Sequence, residues 1–244
     1  MTATRPLTLD HGGEVVELDP LGAVHLPAHR CLVVADLHLE KGSAYARLGT
    51  FLPPYDTART LRRLDWAIQR YRPRLVVSLG DAFHDTAGPG ALDPEARRTL
   101  EALARGRSWL WVRGNHDPHP PAGLAGETID AADLGRLHLT HVPPTAPAGR
   151  IILAGHLHPK ARLAQARPRS RQCATRPCFA GNPDLLLLPA FGAYTGGLNV
   201  LDPAIAGHFA RGFSAFLLGD ERVFQVAHRH LTPDPPDWRR HRIA

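Results

Sequence analysis

Asp36-Leu37-His38 and Gly155-His156-Leu157-His158 stand about half the chain apart, and the polar residues between them repeat one theme. Gly80-Asp81-Ala82-Phe83-His84-Asp85, Gly114-Asn115-His116-Asp117 and Leu139-Thr140-His141 complete a series of five clusters of Asp, Asn and His. Imidazole nitrogen and carboxylate oxygen suit first-row divalent metals, and a carboxylate has two oxygens with which to bridge two ions. Asp-x-His and His-x-His put alternate side chains on one face if the backbone is extended, so both members of a pair can reach one centre. With 15 His in the chain a single pair carries little weight, since a lone His is commonly a solvated or core residue. Five clusters in succession, three preceded by Gly, carry much more.

The clusters need elements to hold them. Each follows a run of bulky apolar residues that reads as a buried strand: Leu32 to Ala35, Leu75 to Leu79, Trp109 to Val112, Leu137 to Leu139 and Ile151 to Ala154. Five strands delivering Asp, Asn or His at their carboxyl ends predict a site along one edge of a sheet.

The order D-x-H, G-D-x-x-H, G-N-H-D, H, G-H-x-H resembles the calcineurin-like metallophosphoesterase superfamily over roughly residues 31 to 158. Asp36-Leu37-His38-Leu39-Glu40-Lys41-Gly42, Gly80 to His84, and Leu188-Pro189-Ala190-Phe191-Gly192-Ala193-Tyr194-Thr195-Gly196-Gly197 resemble, more narrowly, the bacterial ligase-associated DNA-damage-response phosphoesterases. The resemblance implies an α/β fold, a four-layer α/β/β/α sandwich of two mixed β-sheets flanked by helices. It also implies two metal ions, with Asp36, His38 and His158 holding one, Asn115, His141 and His156 the other, and Asp81 bridging. Two ions about 4 Å apart can generate a hydroxide and stabilise both oxygens of an in-line phosphoryl displacement. His116 is then expected to protonate the leaving alkoxide or to steady the transition state, with Asp117 either orienting it or serving as a loop or helix-cap residue. Seven mixed N/O ligands without Cys favour Mn2+.

His84 departs from the protein phosphatases of the superfamily, which carry Asp there, followed by Arg. G-D-x-F-H instead resembles the double-strand-break-repair nucleases, where the matching His helps position a nucleic-acid strand. That tilts the expectation toward phosphodiesters and DNA, with a DNA ligase and an exonuclease as expected functional associates. A phosphodiesterase or phosphatase for small nucleotides is the alternative, and a non-catalytic scaffold is disfavoured by the intact ligand set.

Composition fits one compact domain over residues 1–231: 244 residues, 43% hydrophobic and 21% charged. A Pro-rich basic tail at 232–244 is expected to be disordered. Neither a signal-peptide core nor a membrane-length apolar stretch is present, so a cytoplasmic location without membrane association is expected. Cys31, Cys173 and Cys178 form an odd set that fits reduced thiols.

The net charge of +6 favours anionic partners. Between Ile151 and Pro183 there is no Asp or Glu, while Lys160, Arg162, Arg167, Arg169, Arg171 and Arg176 all fall there. A basic rim next to the last metal motif would hold a polyanion; a solvated hairpin is the plainer reading.

Helix and strand periodicity fills in the frame. Residues 6–27 read as a β-hairpin region and 42–55 as a loop. A helix capped by Asp56 or Thr57 runs to about Tyr71, with Arg59, Arg62, Arg63 and Arg70 on its solvent face. Asp93-Pro94-Glu95 opens a second helix to about Ala104. A short helical stretch is expected near Asp130, and strands at 185–189, 198–201, 215–218 and 223–226 in a second sheet.

If the Arg block meets phosphates of a DNA substrate, changing Arg167, Arg169, Arg171 and Arg176 to Ser lowers the slope of log affinity against log salt by about one unit per lost contact. An unchanged slope across a salt titration would leave the block as a solvated loop.

Overall fold

The computed structural model describes residues 4–119, 123–145, 149–163 and 175–235. The first sheet begins with an antiparallel meander, β1 (Leu7–His11), β2 (Glu14–Leu18), β3 (Val24–Leu26) and β4 (Cys31–Ala35). It continues in parallel through β5 (Leu75–Leu79), β6 (Ser108–Val112) and β7 (Glu127–Ile129). The second sheet holds β8 (Ala131–Leu134), β9 (Leu137–Thr140), β10 (Ile151–Ala154), β11 (Pro159–Arg162), β12 (Thr175–Gly181), β13 (Leu185–Leu187), β14 (Leu198–Asn199), β15 (Ser214–Leu218) and β16 (Val223–Ala227). At its centre β10 lies parallel to both β9 and β13.

Two mixed sheets flanked by a few helices give the α/β class expected from sequence. The inner faces pack together, with Val33, Val77 and Val112 in one apolar cluster with Leu139, Leu153 and Leu186. On the other face of the first sheet, Val34, Val76 and Trp111 meet Leu61 and Leu64 of α2 (Asp56–Tyr71) and, after the one-turn α3 (Gly88–Ala91), Leu100 of α4 (Pro94–Ala104). Strands covered on both faces have no polar alternation, which is why they read as continuous apolar runs. The outer face of the second sheet is covered by Phe209, Phe213 and Ile205, the last from the one-turn helix α5 (Pro203–Ala206).

Several local expectations change. Residues 41–47 form helix α1 (Lys41–Arg47), not a loop, because Gly42 and Ala44 pack inward and the turn is fixed from outside. Asp56 and Thr57 do not cap α2; the cap position is Tyr55, which makes no side-chain bond. Their side chains reach back instead: Asp56 accepts from Gly42 N at 3.0 Å, and Thr57 Oγ1 accepts from Glu40 N at 2.9 Å and donates to Glu40 at 2.9 Å. Arg63 is not on the solvent face, since it donates to Leu21 O and Phe191 O. Near Asp130 the chain forms β7 and β8, its propensity overridden by pairing with β6 and β9. The α4 expectation holds at both ends, with Asp93 Oδ1 accepting from Glu95 N and Ala96 N.

The Arg-rich block is flanked by two strands that its composition concealed, β11 and β12, which pair antiparallel. Beyond Thr232 the chain is held as far as Asp234, since Asn199 Nδ2 donates to Thr232 O and to Asp234; residues 236–244 lie outside the described residues. Cys31 and Cys178 are buried in strands, and burial pushes both thiols up, Cys31 to about 12, so neither is poised for chemistry. Cys173 lies outside the described residues.

Candidate metal centre

All five clusters come to one place, where the carboxyl ends of β4, β5 and β6 meet those of β9 and β10 across the two sheets. The loops after β4 and β5 stay joined there, with His38 N donating to Asp81 O and Leu39 N to Ala82 O, both at 2.9 Å. The backbone is not extended as the x-spacing suggested. Asp36, His38, Asp81, His156 and His158 all have positive φ, between 42° and 69°. Such left-handed residues cost of order 1–3 kcal/mol each and persist only where surrounding bonds enforce them.

Two groups of ligand-type atoms form within 4.8 Å limits: Asp36, His38, Asp81 and His158; and Asp81, His141 and His156. Asp81 belongs to both. His38 Nε2 is 3.3 Å from His158 Nε2, which is 3.3 Å from Asp36 Oδ1. In the second group His141 Nε2 lies 3.2 Å from His156 Nδ1, 3.5 Å from Asp81 Oδ1 and 3.0 Å from Asn115 Oδ1.

The donor set fits divalent cations. His141 Nδ1 faces Leu79 O at 2.9 Å, and a carbonyl can only accept, so the proton sits on Nδ1. Nε2 therefore presents a lone pair toward Asn115 and Asp81 oxygens, an arrangement of acceptors that a cation at their centre would satisfy. His38 is kept neutral, its pKa lowered to about 2 by burial and then by the surrounding His158, His116 and His84. His156 is lowered too, first by burial and then by His141. Asp36 and Asp81, at 0% and 2% exposure, thus sit near the neutral rings of His38 and His156, and buried carboxylates need cations to offset desolvation.

A third group, His38, His84 and His116, borders the first. His116 N donates to Asp81 Oδ1 at 2.9 Å and its Nδ1 donates to His84 O at 2.8 Å, leaving Nε2 as the outward nitrogen. The rings of His84 and His116 stack at 5.5 Å. Burial, and next to it Lys41 and His116, lower the His84 pKa. Asp117 does not orient the His116 ring; its Oδ2 accepts from Phe83 N at 3.0 Å, and burial raises it to about 6.

Of Arg167, Arg169, Arg171 and Arg176, only Arg176 lies among the described residues, half-exposed at the start of β12 and paired with Asp220 at 3.3 Å. Arg167, Arg169 and Arg171 fall outside them.

Sequence reasoning missed the residues that make room. A Cβ on Gly114 would stand 2.1 Å from Asp81 Oδ1, one on Gly80 2.3 Å from His141 Nδ1, and one on Gly155 2.8 Å from Asp36 Oδ2. These are the glycines that precede three of the clusters, so the signal was in plain view without its reason. Lys41 was also missed; its ammonium donates to Tyr194 O at 3.1 Å on the rim.

Such an α/β sandwich with a cluster of metal-ligand residues at the strand ends defines a class of hydrolase. A calcineurin-like phosphoesterase model matches residues 29–146. Among solved structures the nuclease MPE of Pseudomonas putida is 28% identical, covering 91% of this chain and 100% of that one, with a TM-score of 0.70. The phosphoesterase Yfce of E. coli is 16% identical, covering 81% and 98%, with a TM-score of 0.40. No curated protein matches. The chain is a metal-dependent phosphoesterase, similar over residues 29–146 to the calcineurin-like phosphoesterases. No helix among the described residues is long and apolar enough to cross a membrane.

Gly114→Ala should lower metal affinity about ten- to a hundredfold, the usual cost of disturbing a group that orients a ligand, with far-UV dichroism unchanged. Wild-type affinity in a metal titration would mean that Asp81 can shift without consequence.

Proposed function

We propose that the protein is a dinuclear metal-dependent phosphodiesterase that cuts DNA as an endonuclease in repair. The observation that carries this reading is the sharing of Asp81 between the two ligand groups. Asp36, His38 and His158 would hold one ion, Asn115, His141 and His156 the other, with Asp81 between them; their N/O character without thiolate favours Mn2+. When bound, the two ions supply positive charge at the phosphoryl oxygens and acidify water.

The chain's own groups do the rest. His116, with its backbone N held by Asp81 and Nδ1 by His84 O, keeps Nε2 free to give a proton to the departing alkoxide. Its imidazolium form donates from Nε2 and leaves the neutral Nδ1–H tautomer, which the His84 carbonyl already favours. The His84 ring, stacked on His116 and tilted against Tyr45 at 5.4 Å, borders the path by which a strand reaches the centre. The DNA reading draws on His84 and on the likeness to a nuclease at 28% identity. A repair role, with a DNA ligase and an exonuclease as functional associates, follows from the narrower resemblance of the Asp36 to Gly42 and Leu188 to Gly197 segments.

Metal analysis of Asp81→Asn should show both ions lost together. One ion per chain in fully loaded wild type would sink the dinuclear assignment.

His116→Ala should retain metal yet turn over roughly a hundred- to ten-thousandfold more slowly, as loss of a general acid does. The deficit should shrink for a nitrophenolate leaving group, which scarcely needs a proton; equal deficits on good and poor leaving groups would remove His116 from that role.

A further inference from the structure

The loop from Leu188 to Gly197 carries a clear sequence motif but gives no side chain to the metal centre. It is fixed from two sides. Phe191 N and Gly192 N donate to Ala35 O and Asp36 O at 2.8 and 3.0 Å, so the loop rests on the end of β4. From α2, Thr60 Oγ1 accepts from Ala193 N at 2.9 Å, and Arg63 donates to Phe191 O while lying 4.8 Å over its ring. Gly192 admits this approach because a Cβ there would stand 2.2 Å from Leu37 O.

These clamps hold Tyr194 at φ 59°, a conformation unfavourable for a bulky residue, with the residue 40% exposed. The ring forms a wall of a cleft of about 570 Å³, lined also by Tyr55, Trp66, Arg59 and Arg62 and by no carboxylate. Tyr55 is 66% and Trp66 36% exposed. Arg59 lies 6.0 Å over the Tyr194 ring, and neither Arg59 nor Arg62 forms an ion pair among the described residues. Lys41 links the cleft to the centre: its ammonium donates to Tyr194 O and lies 5.5 Å over the Tyr45 ring, which is itself 5.4 Å from the His84 ring.

Solvent-facing aromatic rings with unneutralised guanidinium groups suit a ligand that is flat, π-rich and anionic. Successive nucleotides of a single strand have that chemistry, since every base offers a face for stacking and every phosphate a charge. We propose that this cleft takes an unpaired base of the nucleic-acid strand whose phosphodiester lies at the metal centre, the base stacking among Tyr55, Trp66 and Tyr194 and the adjoining phosphates meeting Arg59, Arg62 and Lys41. This rests on the nuclease reading above. A base paired within a duplex is already stacked on its neighbours, so the cleft selects single-stranded segments beside the cut.

The test uses full-length, metal-loaded protein at one salt concentration, with a single-stranded oligonucleotide and a strand of equal length built from abasic nucleotides. Tyr55→Ser combined with Tyr194→Asn removes two rings, and Asn tolerates the left-handed backbone at 194. The double variant should lose about ten- to a hundredfold in kcat/KM on the base-bearing strand, as loss of one or two base–aromatic stacks gives. On the abasic strand it should match wild type, and Tyr194→Phe should follow wild type on both. Equal rates on the base-bearing strand, or equal losses on the two strands, would overturn the cleft while leaving the nuclease reading in place. If wild type cleaves neither strand but hydrolyses bis-nitrophenyl phosphate, the nuclease reading fails and the cleft proposal with it.

Discussion

Asp81 can face two groups of ligand atoms only because nothing stands beside it. Its Oδ1 occupies space that a side chain at Gly114 would fill, and the same oxygen accepts from His116 N. One oxygen thus fixes the relative position of β5, which delivers Asp81, and of the loop after β6, which delivers Asn115 and His116. The second sheet is tied to the same point, because His141 Nδ1 donates to Leu79 O at the end of β5 and occupies the space left by Gly80. Sheet-to-sheet packing places these ends near one another; the close approaches at Gly80, Gly114 and Gly155 convert nearness into ligand distances.

The left-handed residues follow from that crowding. A strand end that continued straight would carry Asp36 and His38 outward, whereas positive φ at both turns the chain back over the strand tip. The strain is held by bonds at the centre and behind it: Asp36 Oδ1 and Oδ2 accept from His156 N, Gly155 N donates to His141 O, and Asp56 and Thr57 hold residues 40 and 42. Polar residues at the start of α2 that would otherwise cap the helix are used to hold the loop that follows Asp36. Local capping was given up for tertiary fixation, and α1 exists because of it.

What could be read from the sequence was governed by period and burial. The runs that form β4, β5 and β10 are buried on both sides, so their apolar continuity is physical, and β5 and β10 match their expected bounds. Helix α4 was legible because Asp93 and Pro94 act locally. The strands β11 and β12 were not, since Pro159, Lys160, Arg162, Arg176 and Pro177 break any strand pattern and their pairing is set by partners far along the chain. For the same reason β7 and β8 looked helical. At the site, residue types and spacing named the groups that the structure brings together, but not how, because left-handed kinks and missing Cβ atoms leave no periodic trace.

Charge in this protein is sorted by depth. The chain is basic overall, yet Asp36, Glu40, Asp56, Asp81 and Asp117 are all buried around the centre, each at 8% exposure or less. Buried carboxyls act over short range on what they touch, and bound cations would neutralise those in the ligand groups, so little of their field reaches an approaching anion. The guanidinium groups of Arg59 and Arg62, without an ion pair among the described residues, lie in solvent, where their field extends about 8 Å at physiological ionic strength. An anionic chain therefore meets positive charge first, and the carboxyl groups that hold the cations stay beneath the histidine rim formed by His84 and His116. Each charge is placed at the depth where its partner arrives, which is how one small domain can bind cations firmly and still attract a polyanion.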